Sequence, residues 1–136
     1  MKSTQHIQLV HTIKKHMIEH ALRNLPNECC GVLLGKNNIE RIVAMKSTPP
    51  SPDTYYMDPE QQVAVFTEME RRGETLRGIY HSHPEGPSEP SAMDLQLAFH
   101  PEAVYFIISL EDKDHPGITA FVLEKGRFKE VVIKYT

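Results

Sequence analysis

Two histidines, His81 and His83, lie with Ser91 and Asp94 within a segment of fourteen residues that runs from His81 to Asp94. The residues before it, 75–80, favour β-structure and predict a strand that leads into this segment. Because side chains alternate faces along a strand, His81 and His83 point the same way, with Cα atoms roughly 6.5–7 Å apart. Two imidazoles at that spacing can bind one ion, and we expect Pro84 to end the strand beside them.

The residue types in this segment suit a hydrolytic zinc site, which takes three protein ligands and keeps a fourth position for water. The imidazoles of His81 and His83 and the carboxylate of Asp94 meet that requirement. The alternative is a solvated or hydrogen-bonded histidine pair. Ser91 and Asp94 also form an N-terminal capping pattern for a helix. Capping explains the serine and the aspartate without a metal, but it leaves the two histidines unexplained.

A single glutamate stands at the head of an apolar segment further upstream. Glu28 precedes residues 29–34, which predict a buried strand. Burial disfavours a charged carboxylate and raises its pKa toward the range in which a general base works. The alternative is an ordinary surface loop, since Pro26 and Asn27 come directly before Glu28.

These residues together resemble the signature of the JAMM (MPN+) metalloproteases. The matching parts, in order, are Glu28 before an apolar strand, His81-Ser82-His83-Pro84, and, after six further residues, Ser91-x-x-Asp94. The resemblance implies that His81, His83 and Asp94 bind one Zn²⁺ per chain. It also implies that Glu28 is the general acid/base and that Ser91 supports the developing oxyanion.

The same resemblance covers nearly the whole chain and implies a fold and an activity. The fold is α+β, a single-domain MPN (cytidine-deaminase-like) fold over residues 1–136, with a curved mixed β-sheet flanked by helices. The activity is zinc-dependent hydrolysis of a peptide or isopeptide bond. The short bacterial members of the family point to a small ubiquitin-like or sulfur-carrier protein as the substrate. Such a carrier ends in Gly-Gly, a tail thin enough to enter a groove as an added strand.

Two alternatives from other functional classes stay open. One is a catalytically silent MPN-type scaffold or partner-binding module, although scaffolds lose the residues that are complete here. The other is a module in which zinc is purely structural. Structural zinc sites usually have four protein ligands rich in cysteine, whereas the segment from His81 to Asp94 provides three ligands and no cysteine.

Composition restricts the classes of partner and the compartment. At 136 residues the chain is long enough for one domain with a real core. A net charge of −3 and a pI near 6.2 argue against nucleic acid as a partner. The longest apolar run, residues 103–108, is too short to span a bilayer, which predicts no membrane partner. The sequence gives no indication of the oligomeric state.

The two chain features that report on the compartment both favour the cytoplasm. The first six residues, MKSTQH, lack the apolar core of a signal peptide. The only cysteines, Cys29 and Cys30, are adjacent and cannot build a disulfide framework, which suits a reducing compartment. As neighbours on a strand they are expected to face opposite ways and to act as small buried apolar residues.

The rest of the sequence predicts the elements that position the candidate residues. Helices are expected at 11–24, from Asp58 to about 73, and at 91–99; strands are expected at 7–10, 29–34, 39–45, 104–110, 118–123 and 128–135. The last two strands form a hairpin around Lys125-Gly126. The proline-rich residues 46–54 predict an extended loop without regular pairing.

A second histidine pair lies on the first predicted helix, in the order H-x-x-E-H at residues 16–20. His16 and His20 share one face of that helix, but the face flanks the apolar stripe, and we expect it to meet solvent. We therefore interpret the pair as a solvated helix edge rather than a metal site. His100 and His115 have no partners at ligand spacing and are expected at the surface.

Overall fold

The computed structural model of the protein describes residues 5–136, which form three helices and seven strands. In chain order they are β1 (His6–Leu9), α1 (His11–Arg23), β2 (Cys30–Gly35), β3 (Arg41–Met45), α2 (Pro59–Arg71), β4 (Thr75–His83), α3 (Ala92–Gln96), β5 (Val104–Ser109), β6 (Gly117–Glu124) and β7 (Arg127–Tyr135). Most of the segment MKSTQH, on which the cytoplasmic prediction partly depends, lies outside the described residues. No helix within residues 5–136 is long and apolar enough to cross a membrane.

The seven strands form one curled mixed sheet in the order β1-β7-β6-β5-β4-β2-β3. Strand β4 lies inside the sheet, antiparallel to β2 and parallel to β5. Strand β1 is parallel to β7, and the remaining pairs are antiparallel. The expected curved mixed sheet flanked by helices is confirmed. Strand β4 is therefore paired with β2 up to His81 and with β5 up to His83, so the segment that carries the two histidines is held by the sheet.

Alternation along the strands divides the apolar side chains between the two faces of the sheet. On one face, Ile13, Met17 and Ala21 of α1 pack into a buried cluster that also contains Cys29. On the other face, a second cluster contains Cys30, and apolar side chains of α2 pack against it. The prediction that the two cysteines face opposite ways is confirmed, and both are free thiols.

Helix boundaries follow local sequence signals. The Asp58 side chain accepts a hydrogen bond from the Gln61 N–H at 3.0 Å, and Pro59 occupies the first helical position of α2, as predicted. Helix α3 ends at Gln96, earlier than the predicted 99. His100 precedes a proline, and a residue in that position is biased away from helical conformation, so the chain turns before it.

The histidine pair on α1 differs from the prediction at one of its two members. His16 is exposed, as expected, but His20 is only 9% exposed. Its Nδ1 lies 2.7 Å from the Tyr80 hydroxyl, and the two rings meet edge to face. Tyr80 pairs with Gly31 of β2, and the Tyr80 ring fills the space that a Cβ atom at position 31 would need. The prediction of solvent exposure is therefore wrong for His20, because the helix packs that position onto the sheet.

The proline-rich loop contains no strand, but it is closed by one isolated bridge between Ser47 and Met57. The Ser47 hydroxyl accepts a hydrogen bond from the Tyr56 N–H at 3.0 Å. The loop thereby folds back on itself and buries Tyr55, which joins the second cluster. The expectation of an extended loop without regular pairing is confirmed apart from this bridge.

Candidate metal centre

Two histidine side chains converge at the end of β4. The strand ends at His83, directly before Pro84, as the sequence predicts. The Nε2 atoms of His81 and His83 are 3.2 Å apart. Alternation along the strand places both imidazoles on one face, and the parallel pairing with β5 extends to His83, so the backbone beneath them is fixed.

Helix α3 supplies a carboxylate to the same point. The Ser91 hydroxyl accepts a hydrogen bond from the Asp94 N–H at 3.0 Å, and Asp94 Oδ2 accepts one from the Ser91 N–H at 2.9 Å. This capping box fixes the carboxylate. Asp94 Oδ1 then lies 3.1 Å from Nε2 of His81, and Oδ2 lies 3.0 Å from Nε2 of His83. Capping and convergence are therefore both present, and they use the same residues.

The distances fit a tetrahedral metal ion. Ligand atoms bound at about 2.0–2.1 Å in a tetrahedral site lie roughly 3.3 Å from one another, close to the 3.0–3.2 Å contacts among His81, His83 and Asp94. Within residues 5–136 these three side chains are the only group of three or more metal-ligating residues close enough to share an ion. His16 and His20 form no such group. Two nitrogens and one oxygen are a donor set that suits a divalent cation with an open position.

Neighbouring groups prepare the histidines as ligands. His83 Nδ1 lies 2.8 Å from the Pro87 carbonyl, which can only accept, so Nδ1 carries the proton and Nε2 is left to bind. The His81 ring stacks on Tyr55 at 4.7 Å between centroids. Burial lowers the pKa of His81, which favours the neutral form that a ligand needs. Tyr55 was not singled out from the sequence, because an aromatic residue in a proline-rich loop gives no signal of what it will contact.

The carboxylate stays ionised despite its surroundings. Burial disfavours the charge on Asp94, but hydrogen bonds with His81 and His83 outweigh that effect and hold the pKa of the carboxyl well below its usual range. Burial also acts to lower the pKa of His83, but the hydrogen bonds with Asp94 and the Pro87 carbonyl outweigh burial, and the pKa of His83 is raised. A metal ion that binds here displaces the proton that this raised pKa favours.

Glu28 lies two residues before β2 and is buried, which excludes the surface-loop alternative. Its N–H donates to the Ser51 carbonyl at 2.8 Å, and its carbonyl accepts from Nδ2 of Asn24 at 3.0 Å. The antiparallel register pairs Cys30 with His81. The start of β2 and the end of β4 are therefore side by side, which brings the glutamate to the histidines.

The Glu28 carboxyl has the properties of a proton carrier. Its pKa is raised to about 8, chiefly by burial; His83 acts to lower the pKa, and the charges of Asp94 and Asp53 act to raise it. Its Oε1 is buried and has no hydrogen-bond partner among the described residues. A buried polar atom without a hydrogen-bond partner is costly. Because Glu28 lines a cleft, its Oε1 is available to hydrogen-bond a water molecule or a substrate atom.

Ser82 is a structural residue that the sequence did not reveal. It is fully buried, and its hydroxyl accepts a hydrogen bond from the Cys29 N–H at 2.8 Å. This bond ties β4 to the chain next to Glu28.

Burial raises the pKa of both the Cys29 and the Cys30 thiol to about 12, so neither is a thiolate at neutral pH.

One cavity adjoins the three converging side chains through His83, and a second adjoins Tyr55. A cleft of about 530 Å³ is lined by Glu28, His83 and Ser91, together with charged residues of nearby loops. A smaller cavity of about 140 Å³ lies beyond Tyr55 and is lined largely by apolar and aromatic side chains. The cleft therefore brings together one of the metal-ligand candidates, the buried glutamate and the capping serine.

The sequence and the fold are similar to those of known proteins. A family model described as prokaryotic homologs of the JAB domain matches residues 11–124. The chain is 36% identical over 115 residues to a "Probable TtuB-protein conjugate cleaving protease" of Thermus thermophilus, covering 84% of this chain and 74% of that protein. It is 34% identical over 117 residues to a "CysO-cysteine peptidase" of Mycobacterium bovis, covering 84% and 80%.

Solved structures extend this similarity to the fold. The solution structure of protein DSY2949 from Desulfitobacterium hafniense superposes with a TM-score of 0.86 at 35% identity, covering 96% of this chain and 92% of that one. The crystal structure of AF2198, a JAB1/MPN domain protein from Archaeoglobus fulgidus, gives a TM-score of 0.63 at 17% identity, with coverages of 98% and 99%. The second likeness concerns the fold alone.

Proposed function

The chain belongs to the family of prokaryotic homologues of the JAB domain, and on that premise we propose that it is a zinc metallopeptidase acting on the carboxyl end of a small ubiquitin-like or sulfur-carrier protein. Its relatives are named as a protease and a peptidase, so it is a hydrolase of the JAMM type. The observation that carries the proposal is the convergence of His81, His83 and Asp94 beside the buried Glu28.

In this proposal His81, His83 and Asp94 hold one Zn²⁺. The ion, when bound, supplies a Lewis acid that polarises the scissile carbonyl and lowers the pKa of water to roughly 7. The capping box holds the Asp94 carboxylate in place before any ion arrives. The hydrogen bond from Nδ1–H of His83 to the Pro87 carbonyl leaves Nε2 as the nitrogen that binds the metal. The site therefore needs little rearrangement to bind the metal.

Glu28 carries the proton in the proposed reaction. Its carboxylate takes a proton from the attacking water and later gives it to the leaving amine, for which a pKa near neutrality is favourable. The unpartnered Oε1 leaves an acceptor for that proton. Burial beside the histidines and the missing partner support this role over that of a structural carboxyl.

Ser91 has one group available for the substrate. Its oxygen accepts the Asp94 N–H through a lone pair, while its own O–H proton is not used in that bond. In the proposal this proton is donated to the oxyanion of the tetrahedral intermediate. The helix cap and the oxyanion donor are then two uses of one hydroxyl group.

The substrate class is inferred from the relatives. Their names specify a TtuB-protein conjugate and CysO-cysteine, which correspond to an isopeptide-type and a peptide-type bond at a carrier terminus. We propose that a Gly-Gly tail threads toward the metal site, and that neither nucleic acid nor membrane takes part. The free thiols of Cys29 and Cys30 suit the cytoplasm. A catalytically silent scaffold does not need an ionisable group that is buried without a hydrogen-bond partner, as Glu28 is. We therefore favour an enzyme over a scaffold.

Incubation of the zinc-loaded protein with CysO that bears one C-terminal cysteine tests the proposal. Mass spectrometry should show the carrier shortened by one cysteine residue. The reaction should stop after chelation with EDTA and resume when zinc is restored. An intact carrier after incubation with fully zinc-loaded protein would overturn the proposed activity.

A further inference from the structure

The two cavities beside the candidate metal centre differ in character. The smaller cavity adjoins His81 through Tyr55 and contains Leu97 and Phe99. The larger cleft contains His83 and Glu28 and is the more polar of the two, with several charged side chains. Of the two, only the larger cleft is lined by a metal-ligand candidate, so a substrate whose scissile bond lies at the metal centre extends into that cleft.

The position of Glu28 determines which surface receives the leaving group. A general acid must come within hydrogen-bond reach of the amine that it protonates. Glu28 lines the larger cleft and does not line the smaller cavity. The leaving group therefore occupies the larger cleft. This step rests on the proposed function, in which Glu28 is the proton carrier.

Three charged side chains that line the cleft make no hydrogen bond or ion pair with another described residue. Asp53, Glu85 and Lys113 all line it. Within residues 5–136 none of their side chains makes a hydrogen bond or an ion pair; Asp53 is bonded only through its backbone N–H, to the Ser51 hydroxyl. Lys113 is the only lysine or arginine among the residues of the described chain that line the cleft. These charges remain available to a ligand, and only one of them attracts an anion.

The arrangement distinguishes two kinds of leaving group. A single amino acid joined through its α-nitrogen carries a carboxylate one carbon away from the scissile bond. A lysine joined through its side chain presents four methylene groups instead, and its own carboxyl group is part of a peptide bond. Asp53 and Glu85 repel a carboxylate, whereas Lys113 attracts it. The apolar rings of Pro26 and Pro52 in the same cleft leave contacts for a small side chain.

We propose that Lys113 binds the α-carboxylate of a leaving group one residue long, and that it thereby selects carriers extended by a single amino acid over side-chain conjugates. Lys113 lies in the loop between β5 and β6, whose residues are largely exposed. It is a specificity-determining residue in this proposal and takes no part in proton transfer. The repulsion from Asp53 and Glu85 orients the carboxylate toward it.

Steady-state kinetics with two matched substrates tests the proposal. CysO extended by one cysteine is prepared with a free C-terminal carboxylate and with a C-terminal carboxamide, which removes only the charge. For the zinc-loaded wild-type protein we expect kcat/KM to be roughly tenfold higher for the carboxylate form, the range typical of one hydrogen bond to a charged group. Lys113→Ala should lower the carboxylate value about tenfold, so that the two forms are cleaved with similar kcat/KM.

Two further variants control for general effects. Lys134→Ala removes the same charge from an exposed position on β7, a strand separated from β4 by β5 and β6, and should keep the tenfold preference. Lys113→Arg keeps the positive charge and should retain most of the preference. A thermal melt and metal analysis show whether Lys113→Ala is folded and loaded with metal.

The outcomes separate the two proposals. If wild-type protein cleaves both forms equally, or if Lys113→Ala keeps the preference, the assignment of Lys113 is wrong while the proposed activity stands. If the zinc-loaded wild-type protein cleaves neither form, the proposed function fails and the assignment of Lys113 fails with it. A preference that disappears only in Lys113→Ala supports the inference.

Discussion

Neighbouring groups fix the backbone or the side chain of several residues of the candidate site. Asn24 and Ser51 fix the backbone of Glu28, and the Pro87 carbonyl fixes the ring of His83. Such partners hold catalytic and ligand groups near their working geometry before substrate arrives. Substitutions at the site can therefore be designed to change one chemical property while the position is kept.

Glu28→Gln keeps the shape of the side chain and removes the proton acceptor. Turnover should fall by roughly 10²–10⁴-fold while bound zinc is retained. The folded-state pKa of Glu28 in the metal-free protein is raised to about 8, so the ionised form is disfavoured in the fold, and stability declines as the pH rises from the ordinary glutamate value of 4.5 toward 8. The glutamine variant should accordingly melt no earlier than the wild type at pH 8.

The measurement pairs turnover and zinc content with melting in metal-free buffer at pH 8. Near-normal turnover of zinc-loaded Glu28→Gln would remove Glu28 from the mechanism. A large drop in melting temperature would instead mean that the loss of rate reflects a structural defect.

Ser91 combines a cap with a proposed donor, and two substitutions separate these roles. Ser91→Ala should lose about 0.5–2 kcal/mol of stability and about 10²–10³ in turnover. Ser91→Asn can still cap the helix, so it should recover stability, but its longer amide misplaces the donor and should not recover the rate. Thermal melts and initial rates measure the two effects. Intact turnover in both variants, with a lowered melting temperature in Ser91→Ala, would leave Ser91 as a cap alone.

Secondary structure around the site was predictable because its signals are local. Pro84 marks the end of β4, and the serine and aspartate of the capping box mark the start of α3. The positions of His20 and Tyr55 were not predictable in the same way. Each depends on which surface a helix or a loop packs against, and that is set by residues far away in sequence, such as Tyr80 for His20. The spacing of the histidines predicted that their imidazoles converge, whereas the packing around them needed the structure.

The contact between α1 and β4 through His20 and Tyr80 makes the fold sensitive to acid. Burial lowers the pKa of His20, with a further contribution from Arg23, so the unfolded chain binds a proton more readily than the folded one. Stability from this source is present above the unfolded value of about 6.5 and is lost as the pH falls below it. His20→Asn keeps a hydrogen-bonding group for Tyr80 without the titration.

Urea denaturation between pH 7 and pH 5 measures this effect. The unfolding free energy of the wild type should fall more steeply with decreasing pH than that of His20→Asn, by at most about 1.4 kcal/mol per pH unit for one proton. Comparing the two proteins cancels the contributions of the other histidines. Parallel pH profiles would show that His20 does not contribute to the acid sensitivity.

On the scale of the whole molecule, the metal-ligand candidates connect the sheet to a helix that follows it. His81 and His83 come from β4, Asp94 comes from α3, and only a loop joins the two elements. Since such a site does not persist in the unfolded chain, metal binding stabilises the native state by RT ln(1 + [L]/Kd), about 2.7 kcal/mol at a hundredfold excess over Kd. Zinc should therefore raise the melting temperature of the whole protein.

Calorimetry with and without EDTA, combined with metal analysis, tests this prediction. Wild-type protein should contain close to one zinc per chain and melt several degrees earlier after chelation. His83→Ala should lack both the metal and the response to EDTA. His16→Ala, which removes an exposed histidine on α1, should behave like the wild type. Full zinc retention in both His81→Ala and His83→Ala would overturn the ligand assignment.

The adjacent cysteines give the protein a pair of reporters for local opening. Cys29 belongs to the cluster under α1, and Cys30 to the cluster that α2 covers. Because both thiols are buried and protonated, an alkylating reagent reaches either one only when its own face of the sheet opens. Pulsed alkylation of the single-cysteine proteins Cys29→Ala and Cys30→Ala would then time the opening of each face separately. Two consecutive residues can thus show whether the layers on either side of the sheet detach together or one after the other.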